Sequence, residues 1–201
     1  MGVYHRSSLN YIQTKRTLAR IPNLDNDISY LIGVVSGDGN VTRTERKKGG
    51  FHYRVKITSN SEEYLKSINE IFYRKFDIRG QIERDNRKNK TFYLTIQNST
   101  IFAYFIVSGL RYGRKLSMNI PQAIKNNKNF FLHYLSGLVD TDGHIDYNRV
   151  HLKQKYEYFL EEIRIILLDL DMNPNEVKIN YTNSRPFYYL RFDNKLPDMP
   201  Q

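Results

Sequence analysis

The chain has 201 residues, enough for one large domain or two small ones with proper cores. Its formal net charge of +10 points to a polyanionic partner, most simply nucleic acid. Cysteine is absent, which excludes disulfides and thiolate zinc sites, and no apolar run reaches the ~18 residues of a membrane span. The opening MGVYHRSSLNY lacks the apolar core of a signal peptide, so the chain reads as intracellular and soluble, with cytoplasm and organelle both open.

In chain order, residues 1–24 carry Arg6, Lys15, Arg16 and Arg20 without an acid and end near Pro22, which suits an arm on phosphates or a plain basic leader. Asp25 or Asp27 can cap a first helix running to about residue 36. A strand is expected near 40–46, then a turn through Lys47-Lys48-Gly49-Gly50. The next strand, 51–58, alternates Phe51, Tyr53, Val55 and Ile57 against His52, Arg54, Lys56 and Thr58. That is a half-buried antiparallel strand with a basic outer face. Ser61 opens a helix with Leu65, Ile68, Ile71 and Phe72 on its apolar side. Strands near 78–84 and 91–97 follow, joined by the polar turn 85–90, then a helix over 99–107 and a linker, 111–128.

The second half repeats that order. A helix runs over 129–140, with strands near 144–147 and 149–155, the latter turning Val150 and Leu152 inward and Arg149, His151 and Lys153 outward. A helix over 156–169 carries Leu160, Ile163, Leu167 and Leu168, and strands are expected near 176–182 and 187–192. The fold class is α+β: two αββαββ repeats, residues 25–110 and 129–201, each with an antiparallel sheet, related by a pseudo-twofold axis.

The first helices of the two halves share a nine-residue pattern, Leu31-Ile32-Gly33-Val34-Val35-Ser36-Gly37-Asp38-Gly39 and Leu135-Ser136-Gly137-Leu138-Val139-Asp140-Thr141-Asp142-Gly143. Positions four apart lie on one helix face, so Gly33 with Gly37, and Gly137 with Thr141, form grooves that admit another backbone. The natural partner for each is the other copy. The closing glycines signal helix stops, which places Asp38 and Asp142 at C-termini, where a carboxylate is unfavourable by roughly 0.3–1 kcal/mol. Breaking that rule twice at matching places suggests a function: two carboxylates sharing a cation. An EF-hand reading fails, because its sixth place would be Ile145 and its twelfth His151.

These stretches resemble the LAGLIDADG motif of homing endonucleases, and two copies in one chain resemble the monomeric branch. The departures are Ile32 and Ser136 at the alanine place and Ser36 at the first aspartate. The resemblance implies motif helices packed at the centre, saddle-shaped sheets on DNA, and metal-dependent double-strand cleavage of a long DNA target that promotes mobility of an intron or intein. The alternatives are a maturase that binds intron RNA, a catalytically silent DNA-binding regulator of the same fold, and a basic structural protein.

The resemblance also assigns roles. Asp38 and Asp142 are metal ligands and catalytic acids, with the carbonyls of Gly37 and Thr141 as further oxygen donors. The metal is Mg²⁺, with Mn²⁺ substituting and Ca²⁺ supporting binding without cleavage. Gln154 fits a glutamine at the end of the repeat's second strand, where the first half has Ser59. Lys115 fits a basic residue before the second motif, and Lys195 is its weaker counterpart in the second half. DNA contacts are expected from Arg43, Arg46, Lys48, His52, Arg54, Lys56, Arg79, Gln81, Arg84, Tyr93, Thr95 and Gln97 in the first repeat. The second contributes Asn148, Arg149, His151, Lys153, Lys155, Lys178, Asn180, Arg185, Tyr189 and Arg191.

Overall fold

A computed structural model describes residues 19–85, 91–182 and 185–200, without the side chain of Arg185. Arg6, Lys15, Arg16 and most of the turn at 85–90 lie outside the described residues. Helix α1 (Asn26–Gly37) leads into β1 (Gly39–Glu45) and β2 (Phe51–Ser59). Then come α2 (Glu62–Phe76), β3 (Gln81–Arg84), β4 (Phe92–Ile96) and α3 (Ser99–Val107). A short α4 (Gln122–Lys125) lies in the linker. The second repeat is α5 (Lys128–Asp142), β5 (Gly143–Asp146), β6 (Arg149–Gln154), α6 (Glu157–Asp169), β7 (Lys178–Thr182) and β8 (Arg185–Asp193).

Caps start the helices where polar residues precede the apolar runs. The Asp25 carboxylate accepts from the Ile28 N–H, Ser61 accepts from Tyr64, and Asn127 accepts from Asn129 and Phe130. Each repeat makes one four-stranded antiparallel sheet, ordered β1-β2-β4-β3 and β5-β6-β8-β7. Helices cover the inner faces, and one continuous core joins both halves, from Ile28 and Val34 through Phe72 and Phe105 to Leu138, Phe159 and Phe192.

The two motif helices pack backbone to backbone at the centre. A Cβ on Gly33 would fall far inside contact with the Tyr134 carbonyl, and one on Gly137 would meet the Tyr30 carbonyl in the same way. The groove partners are therefore each other. Gly39 and Gly143 are needed for a different reason from the expected helix stop. Neither has the left-handed backbone of a glycine C-cap; each opens a strand against its own helix, where a Cβ would crowd Val35 and Val139 respectively. Consequently α5 runs through Asp142, while Asp38 sits just past the end of α1.

Two expectations change. Leu168 is 48% exposed, because α6 turns it away from the sheet. Arg20 is not on an outer arm. Its backbone N–H donates to Phe76 O at 2.9 Å and its Nε to Lys75 O at 2.9 Å, with a further bond to Arg74 O, so it caps the C-terminus of α2.

Candidate metal centre and nucleic-acid interface

The parallel approach of α1 and α5 brings Asp38 and Asp142 to neighbouring helix ends. Desolvation there, followed by the charge of Asp142, pushes the Asp38 carboxyl up to about 6, against the opposing pull of Lys115. Asp142 is also raised by desolvation, with Gln154 and the Lys115 and Lys155 charges acting the other way. A divalent cation at the paired helix ends would relieve both upward shifts.

Three groups furnish the centre. Gln154, 8% exposed at the end of β6, donates from Nε2 to Asp142 Oδ2 at 2.6 Å. Lys115 Nζ reaches from the linker to the end of α1, donating to Ser36 O at 2.7 Å, Val35 O at 3.2 Å and Gly37 O. A cation on orphan C-terminal carbonyls matches both hydrogen bonding and the helix dipole. Desolvation lowers its pKa, which Asp142 and Asp38 counter. Tyr156 Oη fixes this loop by donating to Lys115 O at 2.7 Å. A cleft of about 390 Å³ opens beside Asp142, lined by Gly37, Lys115, Lys153, Gln154, Lys155 and Thr182 among others.

The first half is built differently. Ser59, the counterpart of Gln154, accepts from the Ser61 N–H at 3.1 Å. Lys195 donates to Asp171 O at 2.6 Å, which ties it to the turn after α6. Tyr30, buried in the motif interface, donates to Asp140 Oδ2 at 2.5 Å across the two helices. Ser36 takes the place of Asp140 on the other side, opposite the buried Tyr134.

Strand register decides which expected DNA contacts share the open face. On the first sheet, His52, Arg54, Lys56, Gln81, Tyr93 and Thr95 do so, since their neighbours Val55, Ile57, Leu94 and Ile96 are buried. Lys56 Nζ lies 3.3 Å from the Tyr93 ring centroid, and Tyr93 Oη donates to Asp85. Gln97 is exposed just beyond β4, and Arg46 and Lys48 occupy the exposed β1–β2 turn. On the second sheet the open face carries Arg149, His151, Lys153, Lys178, Asn180, Tyr189 and Arg191, with Lys155 just beyond β6. Asn148 is at the exposed β5–β6 turn. Arg185, opposite Thr182, is described only in its backbone.

Three residues lie elsewhere. Arg43 is on the inner face with Val41, stacked 4.5 Å from the Phe51 centroid and 5.4 Å from Tyr112. Arg79 is bound by Glu70 and lies 4.1 Å over Tyr73, on the α2 side. Arg84 is opposite Phe92, on the inner side of the edge strand. In their place the open face has Asn40, Thr42 and Thr44 from β1, and His144, Thr182 and Phe187 in the second sheet. These were outside the expected set, although period-two alternation along each strand, as from Val41 in β1, carries them.

The family model for the LAGLIDADG-like domain matches residues 25–106 and 129–195. The chain belongs to this LAGLIDADG-like family. Among solved structures, the chain is similar to I-DmoI in complex with DNA and Mn, with 20% identity and a TM-score of 0.64, covering 85% of this chain and 90% of that one. I-DmoI with DNA and Ca gives 19% identity and a TM-score of 0.64, covering 85% and 84%. I-SmaMI bound to uncleaved DNA target with calcium ions gives 14% and 0.53, covering 86% and 80%. I-DmoI is described as a homing endonuclease. At these identities the likeness establishes the shared LAGLIDADG fold, and the doubled αββαββ plan with two antiparallel sheets is that fold. Among the described residues, no helix is long and apolar enough to cross a membrane.

Proposed function

We propose that this chain is a site-specific endonuclease that acts as a monomer on a long double-stranded DNA target. It hydrolyses one phosphodiester on each strand and thereby mobilises its own intron or intein. The observation that carries this reading is the meeting of Asp38 and Asp142 at the ends of the two motif helices, with Lys115 and Gln154 beside them.

The donor set fits Mg²⁺, which is held by one or two carboxylates together with water and phosphate oxygens. Asp38 and Asp142 would hold it, and Mn²⁺ would substitute. Ca²⁺ would support binding without cleavage. The Gly37 and Thr141 carbonyls are further oxygen donors; Gly37 O, which accepts from Lys115, keeps a second lone pair. A bound ion supplies a lowered water pKa and a counter-charge for the leaving 3′ oxygen. Gln154 holds the Asp142 carboxylate in one orientation, and Lys115 places a positive charge against the charge that builds on the phosphate. No side chain need act as a dedicated general base. The open sheet faces supply affinity that falls steeply with salt, and base-edge readout through their alternating side chains.

The test is a randomised duplex library incubated with Mg²⁺ and either the wild type or Asp142→Asn. Specific double-strand cuts that fall at least ~10³-fold in the variant, with binding retained, are expected. Binding without cutting in Mg²⁺ and Mn²⁺ would overturn the nuclease reading. Tight RNA binding that persists in the variant would then favour a maturase.

A further inference from the structure

The two sheets do not reach equally far from the centre. In each repeat the first strand leaves the acid and the second returns to it, so the turn between them marks the outer limit of the ribbon. From the first rung, Gly39 opposite Ile57, β1 and β2 pair over seven rungs to Glu45 opposite Phe51. From the equivalent rung, Gly143 opposite Leu152, β5 and β6 pair over only four, to Asp146 opposite Arg149. At ~3.3 Å per residue, three more rungs add ~10 Å, the rise of about three base pairs.

The two ends are finished in opposite ways. Beyond Val55, the last rung of β2 joined to β4, the first ribbon projects as a pair of strands, which alone is marginally stable. Its inner face is braced. Arg43 lies over Phe51 and Tyr112, Tyr53 packs on Phe102 at 4.9 Å, Phe102 on Tyr112 at 6.0 Å, and Gly113 N–H donates to Val41 O at 2.8 Å. That leaves Thr44 and His52, opposite each other on the open face, and Arg46 at the turn. The second ribbon is closed off instead. Arg149 Nη1 meets Asp193 Oδ1 at 2.6 Å on the last rung, Asn173 donates to the other oxygen at 2.6 Å, and a two-residue turn follows.

We propose that the DNA target is unequal about its cut, with the first repeat reading about three base pairs further from the centre than the second. Thr44 and His52 read the additional pairs, and Arg46 holds the flanking phosphate. This rests on the DNA-cleaving reading above and adds which arm of the substrate is the longer.

The test is selection of the full chain on a randomised duplex by gel shift in Ca²⁺, scoring how far base preference extends on each side of the centre. One arm should run about three base pairs longer. Replacing residues 43–53 by Asn-Gly should shorten that arm to the length of the other. If that variant does not fold, Thr44→Ala with His52→Ala serves, and should cut enrichment at the outer positions by roughly 5- to 100-fold while leaving inner positions unchanged. Arms of equal length overturn the inference, as does a long arm that persists in whichever variant folds. Unequal arms without cleavage in Mg²⁺ would uphold it while removing the nuclease reading. A pool with no base preference would remove both.

Discussion

Gly33 and Gly137 do the same work in the two repeats, each receiving the other helix's tyrosine carbonyl, whereas Ser59 and Gln154, at equally matched places, do not. The same divergence separates Val41, 3% exposed beneath α3 and its following loop, from Ile145, 47% exposed where the second repeat has no helix after its last strand among the described residues. Pseudo-symmetry is strict where backbone meets backbone, because only glycine leaves room for that approach. It is loose where side chains face a cleft or solvent, since several residue types fit there. Chemical equality between the halves is therefore not implied by equality of the motif helices.

The sharpest way to break this comparison is at the axis. Gly33→Ala and Gly137→Ala should each destabilise by about 3 kcal/mol or more, because the obstructing atoms are backbone and cannot turn aside. Equal losses in denaturant midpoint would uphold the symmetry of the interface; a tolerated substitution on one side would refute it. The covered and uncovered strands come next. Val41→Ala should cost about 2 kcal/mol and Ile145→Ala under about 1 kcal/mol, read from thermal melts. A smaller effect separates the half-sites. Gln154→Ala should lower cleavage about tenfold by freeing Asp142, while Ser59→Ala should leave the rate unchanged, as measured by single-turnover cutting of a selected target.

The mildest test is pH. Asp38 titrates near 6 when folded, against an ordinary carboxylate value of about 4. Between those values the folded chain keeps a proton that the unfolded chain has released. The stability contributed is full below pH about 4 and is lost as pH rises through about 6. The metal-free protein should therefore melt at progressively lower temperature across that window, and Asp38→Asn should flatten the slope. An unchanged slope in the variant would show that Asp38 is not desolvated at the helix end.

The caps at Asp25 and Ser61 were legible because each is a local contest for a few backbone N–H groups, whereas Asn127, assigned to the linker, caps α5 only in the structure. The sheet faces were legible where polar and apolar residues alternate cleanly, as from His52 to Thr58. They were obscured at Arg43 and Arg84, where a charged residue keeps inner-face parity. Arg79 was misplaced because Glu70 and Tyr73, its partners, are on a different element.

The sequence by itself determined the duplication, both motif acids, the order of the repeats' helices and strands, and the strongly basic net charge. These follow from near-neighbour periodicity, capping and summed charge, none of which needs a distant contact. Only the tertiary structure decided that Lys115 closes the end of α1, that Lys195 is tied to Asp171, and that Gln154 bonds Asp142 while Ser59 bonds the Ser61 N–H. It also decided how far each ribbon reaches. Such pairings join atoms whose separation along the chain says nothing about their separation in space, and the packing of α1 on α5 is what sets it.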